Sequence, residues 1–158
     1  MERGTALNAM ARLSRALLLL GIGLWLGLAR PAFAEDRLVL IVNAESRITA
    51  LTSIDVHKLF LGLTVVVNEQ RLHPFRNDAD ELMNRVFFQN IVSMSESVYD
   101  RRMLALTLQQ GRTAPPVLHS TKEVLDELAE NPAAVSFAWA ADVERDPRVK
   151  VLRVLWRR

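Results

Sequence analysis

The stretch Leu38-Val39-Leu40-Ile41-Val42 decides the predicted fold of this chain. Five consecutive apolar residues, ended by Asn43, are typical of a strand that is covered on both faces, because a half-exposed strand alternates apolar and polar residues. A strand of this kind belongs in the middle of a sheet, between two layers of helices. The pattern therefore predicts an α/β fold and not a sandwich or a bundle.

Helix-start patterns downstream of this strand supply the predicted outer layers. Thr52 and Asp55 have the spacing of a capping box, in which each side chain bonds to a backbone N–H of the other residue, and this helix should end before Gly62. Three further helices are predicted to begin at Asn77 or Asp78, at Ser93 with Glu96 as its capping acid, and at Ser120 with Glu123.

Short apolar segments between these helices predict the remaining strands. Residues 65–67 and 72–75 flank the polar Asn68-Glu69-Gln70 and predict a hairpin or a tight strand connection. Residues 134–138 and 149–155 predict two later strands. Strands that alternate with helices in this way indicate a layered α/β domain.

The first 34 residues have the order of segments found in a secretory signal peptide. Arg12 and Arg15 precede a 14-residue apolar run, residues 16–29, and Ala32-Phe33-Ala34 forms a small-x-small cleavage pattern. A membrane-spanning helix needs about 20 apolar residues, so a retained anchor or a buried core helix is the weaker alternative. We therefore expect a signal peptide over 1–34 and one exported domain over 35–158.

Removal of the predicted leader changes what the composition implies. It takes away four arginines and one glutamate, which lowers the formal net charge from +2 to −1. A near-neutral domain of 124 residues gives no electrostatic case for binding nucleic acid or anionic membranes. The chain contains no cysteine, which excludes disulfides, thiol catalysis and thiolate metal sites. A hydrophobic core must therefore carry the stability of the domain.

Residue types that support catalysis are present but do not form a recognised pattern. His57, His73 and His119 stand apart from one another, without the H-E-x-x-H spacing of a metal site. No G-x-S-x-G or S-x-x-K pattern points to an activated serine. The sequence therefore predicts no metal, no cofactor and no enzymatic activity.

Three stretches resemble a known family in their composition and order. Phe60-Leu61-Gly62, Gly111-Arg112 followed by Pro115-Pro116, and Asn131-Pro132-Ala133-Ala134-Val135-Ser136-Phe137 resemble motifs of periplasmic phosphate-binding-protein-like domains. These domains are small single-lobe relatives of the solute receptors that serve phosphate ABC transporters. The resemblance runs from about Leu38 to Arg153. It implies a single type II periplasmic-binding-protein-like lobe, with a mixed sheet flanked by helices.

The same resemblance implies a site and a set of partners. In the full-length receptors, an Arg followed by a Ser-Gly-Thr turn opens the helix that holds the oxyanion. Arg76 matches this Arg, whereas Asp80, Glu81 and Leu82 stand in place of Ser, Gly and Thr. The implied ligand is a small oxyanion, with phosphate as the candidate, and the implied protein partner is an ABC permease or an envelope protein. The candidate ligand-binding residues are Arg76, Asn77, Asn43 and Phe137.

The acidic residues in this segment limit what the site can bind. A carboxylate about 6 Å from a bound anionic charge, at an effective dielectric near 20, repels it by roughly 3 kcal/mol per charge pair. A structural reading of the same acids is that they stabilise the helix by lying at the positive end of its dipole. Two functions therefore remain open: an oxyanion-binding module associated with ABC-type phosphate uptake, or a lobe that has lost its ligand and binds other proteins. Neither includes nucleic-acid binding, nor a stable membrane span after signal cleavage.

Overall fold

The central strand of the fold is the apolar stretch from which the prediction started. The computed structural model describes residues 36–158, so the predicted leader lies outside the described residues. Strand β1 spans Arg37–Asn43, and the five residues 38–42 are fully buried. Burial on both faces is what an uninterrupted apolar strand requires.

Four strands form the main sheet. The order is β4 (His73–Pro74), β7 (Ala134–Trp139), β1 and β8 (Val149–Arg157). Strand β1 runs antiparallel to both β7 and β8, whereas β4 runs parallel to β7. The predicted mixed sheet, with the early apolar strand at an interior position, is therefore confirmed.

Helix α1 (Ser53–Phe60) begins with the predicted capping box. The Thr52 hydroxyl accepts a hydrogen bond from the Asp55 N–H at 3.1 Å, and the Asp55 carboxylate accepts one from the Thr52 N–H at 3.2 Å. This exchange satisfies two backbone donors that the helix itself leaves open. The helix gives way to Gly62 at φ +73°, a conformation that strains any residue with a Cβ.

A β-hairpin with a two-residue turn follows, formed by β2 (Val66–Val67) and β3 (Gln70–Arg71). Its turn residues Asn68 and Glu69 both have positive φ, at 50° and 64°. Positive φ at both central positions is the signature of a type I′ turn, whose twist suits antiparallel strands. A strand connection at this place is confirmed, but the prediction that residues 72–75 form its second strand is wrong: the turn at Asn68-Glu69 already brings Gln70 opposite Val67, and residues 73–74 leave to become β4 of the main sheet.

The predicted start of the next helix is wrong by two or three residues. Asn77 belongs to the short strand β5 (Arg76–Asn77), which pairs in parallel with β6 (Val117–Leu118). Helix α2 spans Glu81–Val86 and continues as a π-helical segment, Phe87–Ile91. Asp80 caps α2, because its backbone is extended and its carboxylate accepts the Met83 N–H. The strand pairing of β5 prevents the earlier start.

Helix α3 (Glu96–Gln110) also begins later than predicted. Ser93 cannot cap it because this residue has φ +54°, and the N-cap is Ser95. The helix ends as expected at Gly111, which has φ +63°.

The remaining helices lie around β7. Helix α4 (Thr121–Glu130) has the predicted cap, because Ser120 accepts the Glu123 N–H at 3.2 Å. A short helix α5 (Ala140–Val143), which the sequence did not predict, follows β7. No helix within residues 36–158 has both the length and the apolar character needed to cross a bilayer.

The alternation of β1 side chains divides the core into two clusters. Leu38, Leu40 and Val42 pack on the side of α1, the π-helical segment and α3. Val39 and Ile41 pack on the other side, against α4 and α5. Each such side chain stabilises the fold by about 1.5–3 kcal/mol relative to an exposed position.

The outer strand β8 contains two register shifts against β1. Leu38 lies opposite Trp156 and Val39 opposite Val154, so that Leu155 is an extra residue. A second shift lies between the pairs Leu40–Arg153 and Ile41–Val151. Shifts of this kind are β-bulges, which bend a strand and change the direction of neighbouring side chains.

Candidate functional site

Arg76 is the cation of the candidate site and is held firmly in place. Its backbone N–H donates to the carbonyl oxygen of Pro116 at 2.8 Å, which fixes it in β5. The residue is only 8 % exposed. Its guanidinium carbon lies 5.5 Å from the ring centre of Phe87 and 5.3 Å from that of Phe88. Aromatic rings at these distances attract a cation and restrict its orientation.

The hydrogen-bonding capacity of this guanidinium is only partly used. Its Nη2 lies 3.5 Å from the Asp78 carboxylate, a long contact, and the same carboxylate oxygen lies 3.9 Å from Nδ1 of His119. Its Nε is buried and has no hydrogen-bond partner in the described part of the chain. Buried donors in proteins almost always have an acceptor, so Arg76 retains a capacity for an additional anionic or polar group.

Asn77 is fully buried, and both ends of its amide are engaged. Nδ2 donates to the carbonyl oxygen of Phe137 at 2.9 Å, and Oδ1 accepts the Ala79 N–H at 3.1 Å. Asn77 therefore links β5 to β7 and shapes the turn that leads into α2.

Phe137 is fully buried in the aromatic part of the core. Its ring stacks on that of Phe87 at 5.5 Å, and it meets Phe60 edge-on at 5.4 Å. Since Phe87 also lies beneath the Arg76 guanidinium, Phe137 supports the site from below.

The side-chain amide of Asn43 makes its hydrogen bonds at a different place in the fold. Its Nδ2 donates to the carbonyl oxygens of Leu128 and Ala129, at 2.7 and 3.2 Å, and its Oδ1 accepts the Glu45 N–H at 2.7 Å. These bonds tie the end of β1 to the end of α4. The structure thus brings Arg76, Asn77 and Phe137 together, whereas Asn43 bonds to a different element. A direct role for any of the four in ligand binding stays a prediction.

Asp80 stabilises the start of α2, as the helix-dipole reading of the sequence predicts, but its two specific partners were not predicted. One carboxylate oxygen accepts the Met83 N–H at 2.8 Å, and the other accepts the indole N–H of Trp139. The first turn of α2, which would otherwise attract an anion, already carries a negative charge from the chain itself. An Asp three residues before Met83 is a recognisable cap signal, but nothing in the sequence links it to a residue 59 positions later.

The surface next to this helix start is acidic. An opening of about 350 Å³ is lined by the carboxylates of Asp36, Asp80 and Asp142, together with Leu82, Trp139 and Ala141. A free dianion approaching from this side meets like charges, each of which repels it. Within residues 36–158, no three His, Asp or Glu side chains are grouped so that they could hold a metal ion.

The solved structures that the chain resembles are receptors and binding proteins. An ABC-type phosphate transport receptor from Vibrio cholerae matches with a TM-score of 0.53 and 18 % identity, over 76 % of this chain and 46 % of that one. A putative phosphate ABC transporter substrate-binding protein with bound phosphate, from Clostridium perfringens, gives 0.56 and 16 %, over 76 % and 45 %. PstS from Borrelia burgdorferi gives 0.54 and 14 %, over 75 % and 47 %.

These similarities concern the fold. The chain spans less than half the length of each of the three proteins. No protein-family model and no curated protein matches the sequence. The first is described as a transport receptor and the second as a putative substrate-binding protein, and none of the three is described as an enzyme. Residues 36–158 therefore have the α/β fold of a periplasmic-binding-protein lobe, as the sequence motifs predict.

Proposed function

We propose that this domain is a non-catalytic binding module for a small oxyanion, with phosphate as the candidate ligand and Arg76 as the residue that contacts it. The observation that carries the proposal is the state of the Arg76 guanidinium. It is buried and held over two aromatic rings, its single ion pair is long, and its Nε lacks a partner in the described residues. A guanidinium oriented in this way suits the planar geometry of oxyanion oxygens.

The local charges favour a singly charged oxyanion over a dianion. Asp78 partly neutralises Arg76, and Asp80 adds a negative charge at the start of α2. An incoming anion competes with Asp78 for the Arg76 guanidinium and with Asp80 for the backbone N–H at the start of α2. Asn77 and Phe137 act as positioning residues in this proposal, because their polar groups and ring surface are already engaged. Asn43 contributes to the proposed module only by stabilising the fold, through the hydrogen bond that connects β1 to α4.

The experiment is a calorimetric titration of the purified protein with phosphate at constant ionic strength. We expect weak binding to the wild type and tighter binding to Asp80→Ser, because the substitution removes a negative charge from the start of α2; for a carboxylate about 6 Å from the anion the repulsion is roughly 3 kcal/mol, or about 100-fold in affinity. Arg76→Gln in the Asp80→Ser background should abolish it. Glu81→Gln serves as the control, since its side chain is 92 % exposed. If Asp80→Ser also fails to bind phosphate and its analogues, the oxyanion proposal is wrong.

The contact between Asp80 and Trp139 favours a second candidate function. A helix terminus that is occupied by the chain's own carboxylate needs no external anion. The lobe would then act as a protein-interaction module, with an ABC permease or an envelope protein as its partner. This candidate predicts that neither the wild type nor Asp80→Ser changes its melting temperature in phosphate.

We also propose that the domain acts in the periplasm, after export and removal of residues 1–34. The support is the order of basic, apolar and small-residue segments in the leader. Association with a transporter is compatible with this location.

A further inference from the structure

A small cavity lies between the start of α1, the end of the π-helical segment and β8. Its volume is about 80 Å³. Three polar side chains line it, those of Ser53, Asn90 and Arg153. The rest of the lining is Val56, Ile91, Val154 and Leu155. None of these residues belongs to the Arg76 site.

Arg153 lines this cavity, and its guanidinium has an unused buried donor. Its Nη1 donates to the carbonyl oxygen of Leu51 at 3.1 Å. Its Nε is buried and has no partner within residues 36–158. A buried donor without an acceptor costs about 1–3 kcal/mol, and more on a charged group. The guanidinium of Arg153 therefore has hydrogen-bonding capacity that the described residues do not use.

The positive charge of Arg153 also has no carboxylate close to it among the described residues. No carboxylate of the described residues lies within ion-pair distance of it, and no acidic side chain lines the cavity. Asp55 lies in the neighbouring helical turn, but its carboxylate already accepts a hydrogen bond from the Thr52 hydroxyl at 2.6 Å. In this respect Arg153 differs from Arg76, whose guanidinium lies close to the Asp78 carboxylate.

The β-bulge in β8 explains how an arginine comes to lie here. Arg153 pairs with Leu40, and the next pair is Val151 with Ile41, so one extra residue lies between them. Leu40 packs on the side of the sheet that α1 covers. Paired residues project to the same side of a sheet, so Arg153 lies on the side of α1.

We propose that this cavity binds one small oxyanion, held by the Arg153 guanidinium, the Ser53 hydroxyl and the Asn90 amide as hydrogen-bond donors. A water molecule takes about 30 Å³ of liquid volume, so the cavity has room for two or three waters or for one compact anion. The absence of acids in its lining favours the anion. This site is independent of the Arg76 proposal, because the two share no residue.

The test is a thermal unfolding series of the purified protein in formate, nitrate, sulfate, phosphate and chloride at matched ionic strength. We expect at least one oxyanion to raise the melting temperature above that in chloride. The same rise in melting temperature should occur in Arg76→Gln, which distinguishes binding at this cavity from binding at the Arg76 site.

Two variants then assign the stabilisation to the cavity. Ser53→Ala should weaken binding of that anion about 10-fold through loss of one charge-assisted hydrogen bond. Arg153→Lys, which keeps the charge but lacks Nε, should weaken it at least as much. Ser97→Ala, an exposed serine in the first turn of α3, is the matched control and should have no effect. Equal melting temperatures in all five salts, or anion stabilisation that survives both variants, would overturn the proposal and leave water as the occupant.

Discussion

Trp139 donates its indole hydrogen bond to the carboxylate of Asp80 and so joins the end of β7 to the start of α2. The same carboxylate caps the helix through the Met83 N–H. One residue therefore fixes the position of α2 relative to the main sheet and fills the helix terminus that phosphate-receptor-like motifs associate with an anion. If the proposed function holds, stability and anion binding compete for this one side chain.

Replacing Trp139 with Phe tests the structural half of this arrangement. The variant keeps an aromatic ring against Trp156, whose centroid lies 6.0 Å away, but loses the donor to Asp80. We expect the free energy of unfolding to fall by about 1–2 kcal/mol, measured by urea denaturation, because the lost bond involves a charged acceptor at a partly exposed site. Trp156→Phe is the control and should cost less. Equal losses in the two variants would mean that packing, and not the hydrogen bond, accounts for the effect.

Replacing Asn77 with Ala should cost more. The change leaves the buried carbonyl oxygen of Phe137 without its partner, whereas the N–H of Ala79, an exposed residue, can bond to water. We expect a loss of about 1–3 kcal/mol in the free energy of unfolding, mainly from the one unsatisfied buried carbonyl. Gln89→Ala, at an exposed position of the π-helical segment, should change it by less than about 0.5 kcal/mol. A loss for Asn77→Ala as small as that of the control would show that water replaces both bonds.

The local signals in the sequence predicted most of the fold. The apolar run of β1, the Thr52–Asp55 capping box and the glycine after α3 each depend on neighbouring residues, and each is confirmed. The predicted starts of α2 and α3 were wrong for two different reasons. Pairing of β5 with β6 keeps Asn77 extended, and a left-handed backbone at Ser93 delays the second start.

The candidate site was less predictable because its hydrogen bonds join residues that are far apart in the sequence. Arg76 could be located from its place in the motif, and its burial followed from the fold. The roles of Asn77 and Asp80 depend on Phe137 and Trp139, which lie about 60 residues away in the sequence. The cavity at Arg153 depends on a register shift between strands that have no local signal.

Alkaline pH should destabilise the domain through Tyr99. Its hydroxyl donates to the carbonyl oxygen of Phe60 at 2.8 Å, and burial raises the pKa of Tyr99 to about 12, against an opposing effect of Arg76. A raised pKa stabilises the protonated form. Its contribution to stability is therefore complete below the ordinary pKa of 10.0 and is lost as the pH rises through about 12.

Urea denaturation across this pH range measures the effect, and the absorbance of tyrosinate reports it directly, because Tyr99 is the single tyrosine of the chain. Tyr99→Phe should show a flatter loss of stability between these pH values, by about 1.4 kcal/mol for each unit by which the folded and unfolded pKa values differ. Parallel pH profiles of the variant and the wild type would contradict this explanation.

Processing of the leader gives a prediction that does not depend on the described structure. Expression of the full sequence in a bacterium with an export pathway should yield a periplasmic product whose first residue is Glu35, identified by intact mass. Ala34→Leu should block cleavage by removing the small residue that the site needs. A product that keeps residues 1–34 in the membrane fraction would support the retained anchor instead.

The two bulges of β8 also affect how molecules of this protein meet one another. This strand is a nine-residue edge of the main sheet, and a long, regular edge can recruit a strand from another copy and start aggregation. Two register shifts bend the edge and interrupt the regular spacing of its free backbone groups. The two bulges thus give the domain built-in protection against edge-to-edge association.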